Sequence, residues 1–169
     1  MKVAGIWRKG VILVLIILNI GCDQVSKHLV REKINYYEQV ELINDNLILT
    51  KVENNGGFLG FGSAINPLLK KIFFLAFPAL VLVILLGFIL ARTRDGLFFI
   101  IGISFIIGGG IGNIFDRIVY GSVTDFLHLD LGIFKTGIFN LADVSIMFGT
   151  ACILFYNLTK KKQSSPVKT

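Results

Sequence analysis

Carboxylates are the residues whose type and placement could do chemistry in this chain. Asp125 sits between Val123-Thr124 and Phe126-Leu127, which is not a helix-capping context. An acid among apolar residues in a short extended run is either solvated by the neighbouring turn or aimed into a site. Asp143 closes the run Phe139-Asn140-Leu141-Ala142-Asp143. Asn140 is a good N-cap, and an acid three residues later returns a bond to it and suits the helix dipole. Asp143 therefore reads equally as a structural cap and as a working acid. Two acids of this kind near one plane would share a proton, one staying neutral as general acid while the other activates water. No nucleophile constellation competes: His28 and His128 are isolated, Ser104 and Ser145 lie in apolar runs without a nearby histidine, and Cys22 and Cys152 form no CxxC. Neither metal nor organic cofactor is expected.

Other polar residues fall inside or at the edge of apolar stretches, where each needs a partner. Asp23 and Lys27 are spaced i,i+4 and predict an ion pair. Asn113, Asp116 and Arg117, at i, i+3 and i+4, share one helix face. Asp116 and Arg117 read as an interfacial ion pair, while Asn113, one turn deeper, wants a partner across the bundle. Gly108, Gly109, Gly110 and Gly112 precede it; the Gly108/Gly112 spacing either admits another backbone closely or leaves room for a ligand.

The elements that must position these groups belong to a membrane. Of 169 residues 54% are hydrophobic and 17% charged, with 18 glycines and a mean hydropathy of +0.74. A water-soluble globule of this size could not hide that much apolar surface. Four apolar runs, at about 10–30, 72–91, 97–115 and 141–158, each approach the roughly 20 residues that cross a hydrocarbon core. They lack strand alternation, so an all-α membrane protein of four transmembrane helices is predicted, one membrane-embedded domain over 1–169. Pro78 should bend the second helix. The two cysteines differ in depth by about 10 Å at 1.5 Å per residue and should not pair.

The net charge of +6 is distributed at the edges of apolar runs, which argues for membrane orientation and against nucleic acid. Lys2, Arg8, Lys9, Arg92, Arg94, Lys160, Lys161, Lys162 and Lys168 fall on one side, opposed only by Asp95. The positive-inside rule puts that side, with both termini, in the cytoplasm and gathers the remaining acids at the outer face. Outer loops then cover 31–71 and 116–140, and a basic tail covers 159–169. The first loop holds a strand over 46–52, a turn at Asn54-Asn55-Gly56-Gly57, and an apolar stretch over 58–69 read as a short interfacial helix. The second has an extended run over 122–127. A basic start, an apolar run and Gly21-Cys22 also resemble a cleavable lipoprotein signal, although Asn19 stands where such sites have leucine and three more spans follow.

Five segments in order carry a more specific likeness: Asp23-Gln24-Val25-Ser26-Lys27, Asn54-Asn55-Gly56, Gly108-Gly109-Gly110-Ile111-Gly112-Asn113-Ile114-Phe115-Asp116-Arg117, Val123-Thr124-Asp125-Phe126, and Phe139-Asn140-Leu141-Ala142-Asp143. Over nearly its whole length the chain resembles the lipoprotein signal peptidase (type II signal peptidase) family of bacteria. The resemblance implies an intramembrane aspartyl protease of the inner membrane, its site on the extracytoplasmic side. It implies Asp125 and Asp143 as the catalytic pair, with Asp23, Lys27, Asn54, Gly56, Gly109, Asn113, Asp116, Arg117 and Asn140 lining or bracing the site. The substrate it implies is a diacylglyceryl-modified prolipoprotein cut before the lipidated cysteine, under a small extracytoplasmic β-cradle. Membrane lipid surrounds the enzyme, globomycin is the expected inhibitor, and a monomer is expected. One departure is visible: the family has two small residues and then an aromatic after Asn-x-Gly, whereas here Gly57-Phe58-Leu59 brings the aromatic one place early. The rivals are a four-helix proton-coupled transporter using Asp23 and Asp143, which would want an acid near the midplane, and a non-enzymatic lipoprotein anchored through Cys22.

Overall fold

The structure, a computed structural model, describes residues 2–57, 61–92 and 95–163. Phe58 and Leu59 of the altered loop, Arg94, and the tail beyond 163 lie outside the described residues. Helix α1 spans Lys2–Lys33; strands β1 (Val40–Ile43) and β2 (Leu47–Asn54) follow. A short helix α2 (Pro67–Lys71) runs through a π-helical segment (Ile72–Ala76) into α3 (Phe77–Ala91). Helix α4 (Leu97–Val119), strands β3 (Val123–Asp130) and β4 (Lys135–Phe139), and α5 (Leu141–Gln163) complete the chain. Four of these stretches, Gly5–Lys33, Pro67–Ala91, Leu97–Val119 and Leu141–Lys160, are long and apolar enough to cross a membrane.

The second span begins five residues earlier than its apolar run suggested. The interfacial helix expected over 58–69 is not a separate element among the described residues: 61–65 are turns, and helix starts at Pro67 with Asn66 capping Leu68 N. Proline at the first helical position costs nothing, because that N–H has no intrahelical partner. Pro78 shapes the same span. Its missing N–H and its ring are incompatible with regular α-helix behind it, and the backbone just ahead widens to i→i+5 bonding, with Phe77 N on Ile72 O.

Polarity is inverted relative to a soluble protein. Trp7, Ile17, Val83 and Leu154 are exposed, whereas Asp23, Lys27, Asp116 and Asn140 are fully buried, as expected where lipid is the solvent. The apolar core joins Ile12 and Ile16 of α1, Leu82 and Ile89 of α3, and Ile100, Ile103 and Ile107 of α4. Helix α4 is the most enclosed of the four spans, and its glycines explain how. A Cβ on Gly108 would lie 2.6 Å from Asn19 of α1, one on Gly110 would lie 2.8 Å from Leu82 of α3, and one on Gly109 would strike the Ala142 carbonyl of α5. Three successive positions thus admit three different helices.

At one end of the bundle Asp95 pairs with Arg92 at 2.8 Å and Arg8 at 3.5 Å, closing the α3–α4 connection onto α1. At the other end lies a four-stranded antiparallel sheet in the order β1-β2-β3-β4. It contains both predicted extended runs and two strands the sequence did not advertise, β1 and β4. Gly121, at φ 78, turns α4 into β3, and Asn140 turns β4 into α5. Strands β3 and β4 are therefore rooted directly in α4 and α5.

Candidate active site

Helix α1 presents Asp23, Gln24, Lys27 and Arg31 at helical spacing toward α4, and a buried charge network results. The Lys27 ammonium meets three acceptors: Asp23 Oδ2 at 2.8 Å, Asp116 Oδ2 at 3.1 Å and Asn113 Oδ1 at 2.9 Å. Those are all the donors a lysine has. Arg31 adds a second cation to Asp116 at 2.9 Å, and Gln24 bridges Asp23 and Asp116 through its amide. Two carboxylates thus face two cations in a site closed to solvent, where an unpaired charge would be prohibitive.

Each of these two acids also accepts one backbone N–H. Asp23 Oδ1 accepts the backbone N–H of Ala142 at 2.9 Å, and Asp116 Oδ2 accepts that of Thr124 at 3.2 Å. Ala142 precedes Asp143, and Thr124 precedes Asp125. Each charge-paired carboxylate therefore anchors the backbone one residue ahead of a candidate catalytic aspartate. The spacing i,i+3 of Asn113 and Asp116 lets α4 reach both candidates from one face.

Asp125 and Asp143 have different company. Asp125 accepts amide N–H groups from Asn54 at 2.9 Å and Asn140 at 2.6 Å. Asp143 accepts from Asn113 Nδ2 at 2.9 Å and from the backbone N–H of Asn140 at 3.2 Å. Among the described residues no cation is ion-paired with either, whereas Lys27 and Arg31 pair with Asp23 and Asp116. Both aspartates line one cleft of about 280 Å³, together with Asn54, Asn113, Arg117 and Met147. Burial of Asp125, only 4% exposed, pushes its carboxyl up to about 6; the charge of Asp143 adds to this, while the amides of Asn54 and Asn140 oppose it. A carboxyl so raised beside a second carboxylate is the condition under which a pair holds one proton.

The amides are oriented by their other bonds. Lys27 can only donate, so Asn113 must turn Oδ1 toward it and Nδ2 toward Asp143. Asn140 Oδ1 accepts from Asp143 N at 3.0 Å, which leaves Nδ2 for Asp125 and Asn113. Asn54 Oδ1 takes Gly56 N, leaving Nδ2 for Asp125 and the Gly57 carbonyl. Every amide thus offers N–H to a carboxylate. The reciprocal bonds between Asn140 and Asp143 are also a capping box, so the two readings of Asp143 do not exclude each other: the cap holds the acid in the cleft wall.

All eleven predicted site residues meet at this end of the bundle. Gly56 contributes its carbonyl to Arg117 Nη2 at 2.9 Å, and Gly109 lets α5 approach α4. One expectation is corrected. Asp116 and Arg117 do not pair, because consecutive residues on a helix point about 100° apart: Asp116 turns inward to Lys27 and Arg31, and Arg117 turns to the Gly56 and Asn113 carbonyls at the cleft wall. Gln24, Arg31, Thr124 and Glu53 were missed. Arg31 continues the i,i+4 series Asp23, Lys27, which could have found it. Glu53 left no signal, since its bonds to Ser122 and Thr124 cross between strands whose pairing is set by the fold.

Comparison with known proteins bears on this geometry. A family model described as signal peptidase (SPase) II matches residues 15–159. The lipoprotein signal peptidase of Enterococcus faecalis is 32% identical over 151 residues, 89% of each chain. That of Desulforapulum autotrophicum is 30% identical over 142 residues, 84% of this chain and 88% of the relative. The Staphylococcus aureus protein of the same name is 29% identical over 94% and 96% of the two chains. A solved bacterial membrane enzyme, determined by the in meso method at 2.3 Å, superposes with a TM-score of 0.83 at 26% identity, covering 95% of this chain and 94% of that one.

Proposed function

Since the chain belongs to the signal peptidase II family, we propose that Asp125 and Asp143 are its catalytic pair and that it cuts before a diacylglyceryl-modified cysteine. Its activity is removal of signal peptides from prolipoproteins, as an aspartic protease within the membrane. The transporter alternative has no support. One observation carries the assignment of the pair: these two aspartates share a cleft and are held by amide donors alone, while the neighbouring acids are consumed by cations. Asp23, Lys27, Asn54, Gly56, Gly109, Asn113, Asp116, Arg117 and Asn140 bind or brace around them.

The chemistry follows from the shared proton. The ionised aspartate takes a proton from water as the oxygen attacks the scissile carbonyl, and the protonated one donates to the carbonyl oxygen; on collapse the proton taken from water passes to the leaving amine and the diol returns a proton to the other aspartate. Burial favours Asp125 as the resting holder of the proton. Arg117 and the amides of Asn113 and Asn140 stand where charge would develop. The diacylglyceryl chains hold the substrate at the membrane surface, so its scissile bond arrives at the depth of the cleft.

The distribution of lysine and arginine supports cytoplasmic termini and an extracytoplasmic site in a bacterial inner membrane. The expected working form is a monomer, and a cyclic peptide such as globomycin would compete for the same cleft. The test is a gel-shift cleavage assay on a diacylglyceryl-modified prolipoprotein. Asp125→Asn and Asp143→Asn should each abolish cleavage in protein that expresses and stays folded in detergent. Near-normal turnover by either variant would remove that residue from the pair.

A further inference from the structure

Strands β2 and β3 present two faces, of which the aspartate cleft uses one. Past the middle of β2 the strands pair Val52 with Asp125, Glu53 with Thr124 and Asn54 with Val123. Side chains alternate along a strand, so Asn54, Val123 and Asp125 turn to the cleft they line, while Glu53, Ser122 and Thr124 turn to the opposite face. There Thr124 Oγ1 donates to Glu53 Oε1 at 2.8 Å, and Ser122 Oγ donates to Glu53 Oε2 at 2.5 Å. Arg31 Nε donates to the same Thr124 oxygen at 2.9 Å, so the single hydroxyl hydrogen of Thr124 is left for the carboxylate. Both hydroxyl residues are buried. One carboxylate of β2 thus grips two alternate residues of β3 from behind, immediately ahead of Asp125.

That grip falls where the sheet needs it. Leu49 pairs with Leu127, and from there to the Val52–Asp125 pair β2 advances three residues while β3 advances only two. The register has shifted by one at a bulge, a device that re-aims side chains beside active sites. Because the side-chain period is two, a further slip of one residue would put Asn54 and Asp125 on opposite faces. The Glu53–Thr124 rung lies between these two: Thr124 precedes Asp125, and Asn54, which follows Glu53, donates to Asp125 at 2.9 Å. Resting on the function proposed above, we propose that Glu53 is a positioning residue for the reaction, its carboxylate locking β2 to β3 past the bulge so that Asp125 and Asn54 stay together on the cleft face. Its effect runs through the two hydroxyls of β3, and therefore depends on the reach of the side chain more than on its charge.

The test crosses charge with reach in the full-length enzyme in detergent, with kcat and KM measured per folded molecule on a diacylglyceryl-modified prolipoprotein. Glu53→Asp keeps the charge but is one methylene too short to hold both hydroxyls. It should lower kcat about three- to tenfold, the size of one lost hydrogen bond, and leave KM within about twofold. Glu53→Gln loses the charge but keeps an oxygen for Thr124, and its N–H meets a Ser122 hydroxyl that can rotate to accept. It should stay within about twofold of the wild-type kcat. A Glu53→Asp enzyme with wild-type kcat would overturn the inference. So would a Glu53→Gln loss as large as that of Glu53→Asp, which would assign the effect to charge, or a change confined to KM, which would place Glu53 in substrate binding. If the wild type leaves the lipidated substrate uncut, the function proposed above falls and this inference with it. A wild type that cuts, with Asp125→Asn inactive, makes the Glu53 outcomes bear on this inference alone.

Discussion

Asp23 and Asp116 are set against Asp125 and Asp143 in one connected network, and the contrast lies in what faces them. The first two meet Lys27 and Arg31, are fully buried, and also accept the backbone N–H groups of Ala142 and Thr124. The second two meet only amides and open onto a cleft. A carboxylate beside a buried cation is committed to that ion pair. A carboxylate held by neutral donors at a cleft wall is open to a ligand. Partner type therefore separates four residues of identical chemistry into two that hold the backbone and two that face the cleft. The division is also mechanical, because the first pair grips the chain one residue ahead of the second.

The largest stability effect that would sharpen this contrast comes from Lys27→Met, which strips a cation from two buried carboxylates. The expected cost is about 3–5 kcal/mol, the range for breaking a buried ion pair, read as a fall in melting temperature in detergent. Adding Asp23→Asn should recover part of the loss, because the uncompensated charge is then removed. A Lys27→Met variant that melts like the wild type would break the contrast outright.

The Asp125 side makes an opposite, pH-dependent prediction. Its carboxyl, pushed up to about 6 by burial against 3.8 in the open chain, binds a proton more tightly folded than unfolded. It thus contributes stability that is present below about pH 4 and is lost as pH rises through 6. Relative to Asp125→Asn, which cannot ionise, the wild type should lose up to roughly 3 kcal/mol between pH 4 and 7.5. Parallel stability curves for the two proteins over that range would mean that the carboxyl is not raised.

Smaller effects are expected at the glycines. Gly112→Ala would bring a Cβ to 2.5 Å from Asp23 Oδ2, and Gly109→Ala would press on the Ala142 carbonyl beside Asp143. Overpacking of this kind costs about 1–3 kcal/mol. Gly112→Ala should show it mainly in melting temperature. Gly109→Ala should show it in kcat as well, since it displaces the start of α5. Equal kcat losses from both would blur the division between bracing and reacting residues.

The four spans were legible because lipid imposes one rule, an apolar run of sufficient length, and the sequence obeys it four times. The ion pair Asp23–Lys27 was legible for a local reason, i,i+4 spacing on one helix, and the capping box at Asn140 likewise. Asp116 was misassigned because its nearest cation in sequence, Arg117, points elsewhere on the helix, while its actual partners lie on another helix. Strands β1 and β4 escaped because they are short and lie at the edges of the sheet, where pairing with a neighbour, not an internal pattern, makes them strands. For the candidate pair, composition and spacing left Asp125 and Asp143 ambiguous. The five-segment family resemblance singled them out, and their shared cleft explains why both would be needed.

Turnover per folded molecule, measured alongside melting temperature for Asp23→Asn, Asp116→Asn, Asp125→Asn and Asp143→Asn on one lipidated substrate, probes the division between the two pairs most directly. At neutral pH the Asp125 variant should melt no lower than the wild type and the Asp143 variant near it, yet both should turn over at least about 10³-fold more slowly. The Asp23 and Asp116 variants should melt lower and keep measurable turnover in whatever fraction remains folded. Robust cleavage by the Asp125 or Asp143 variant, or complete inactivity in a fully stable Asp23 or Asp116 variant, would contradict that division.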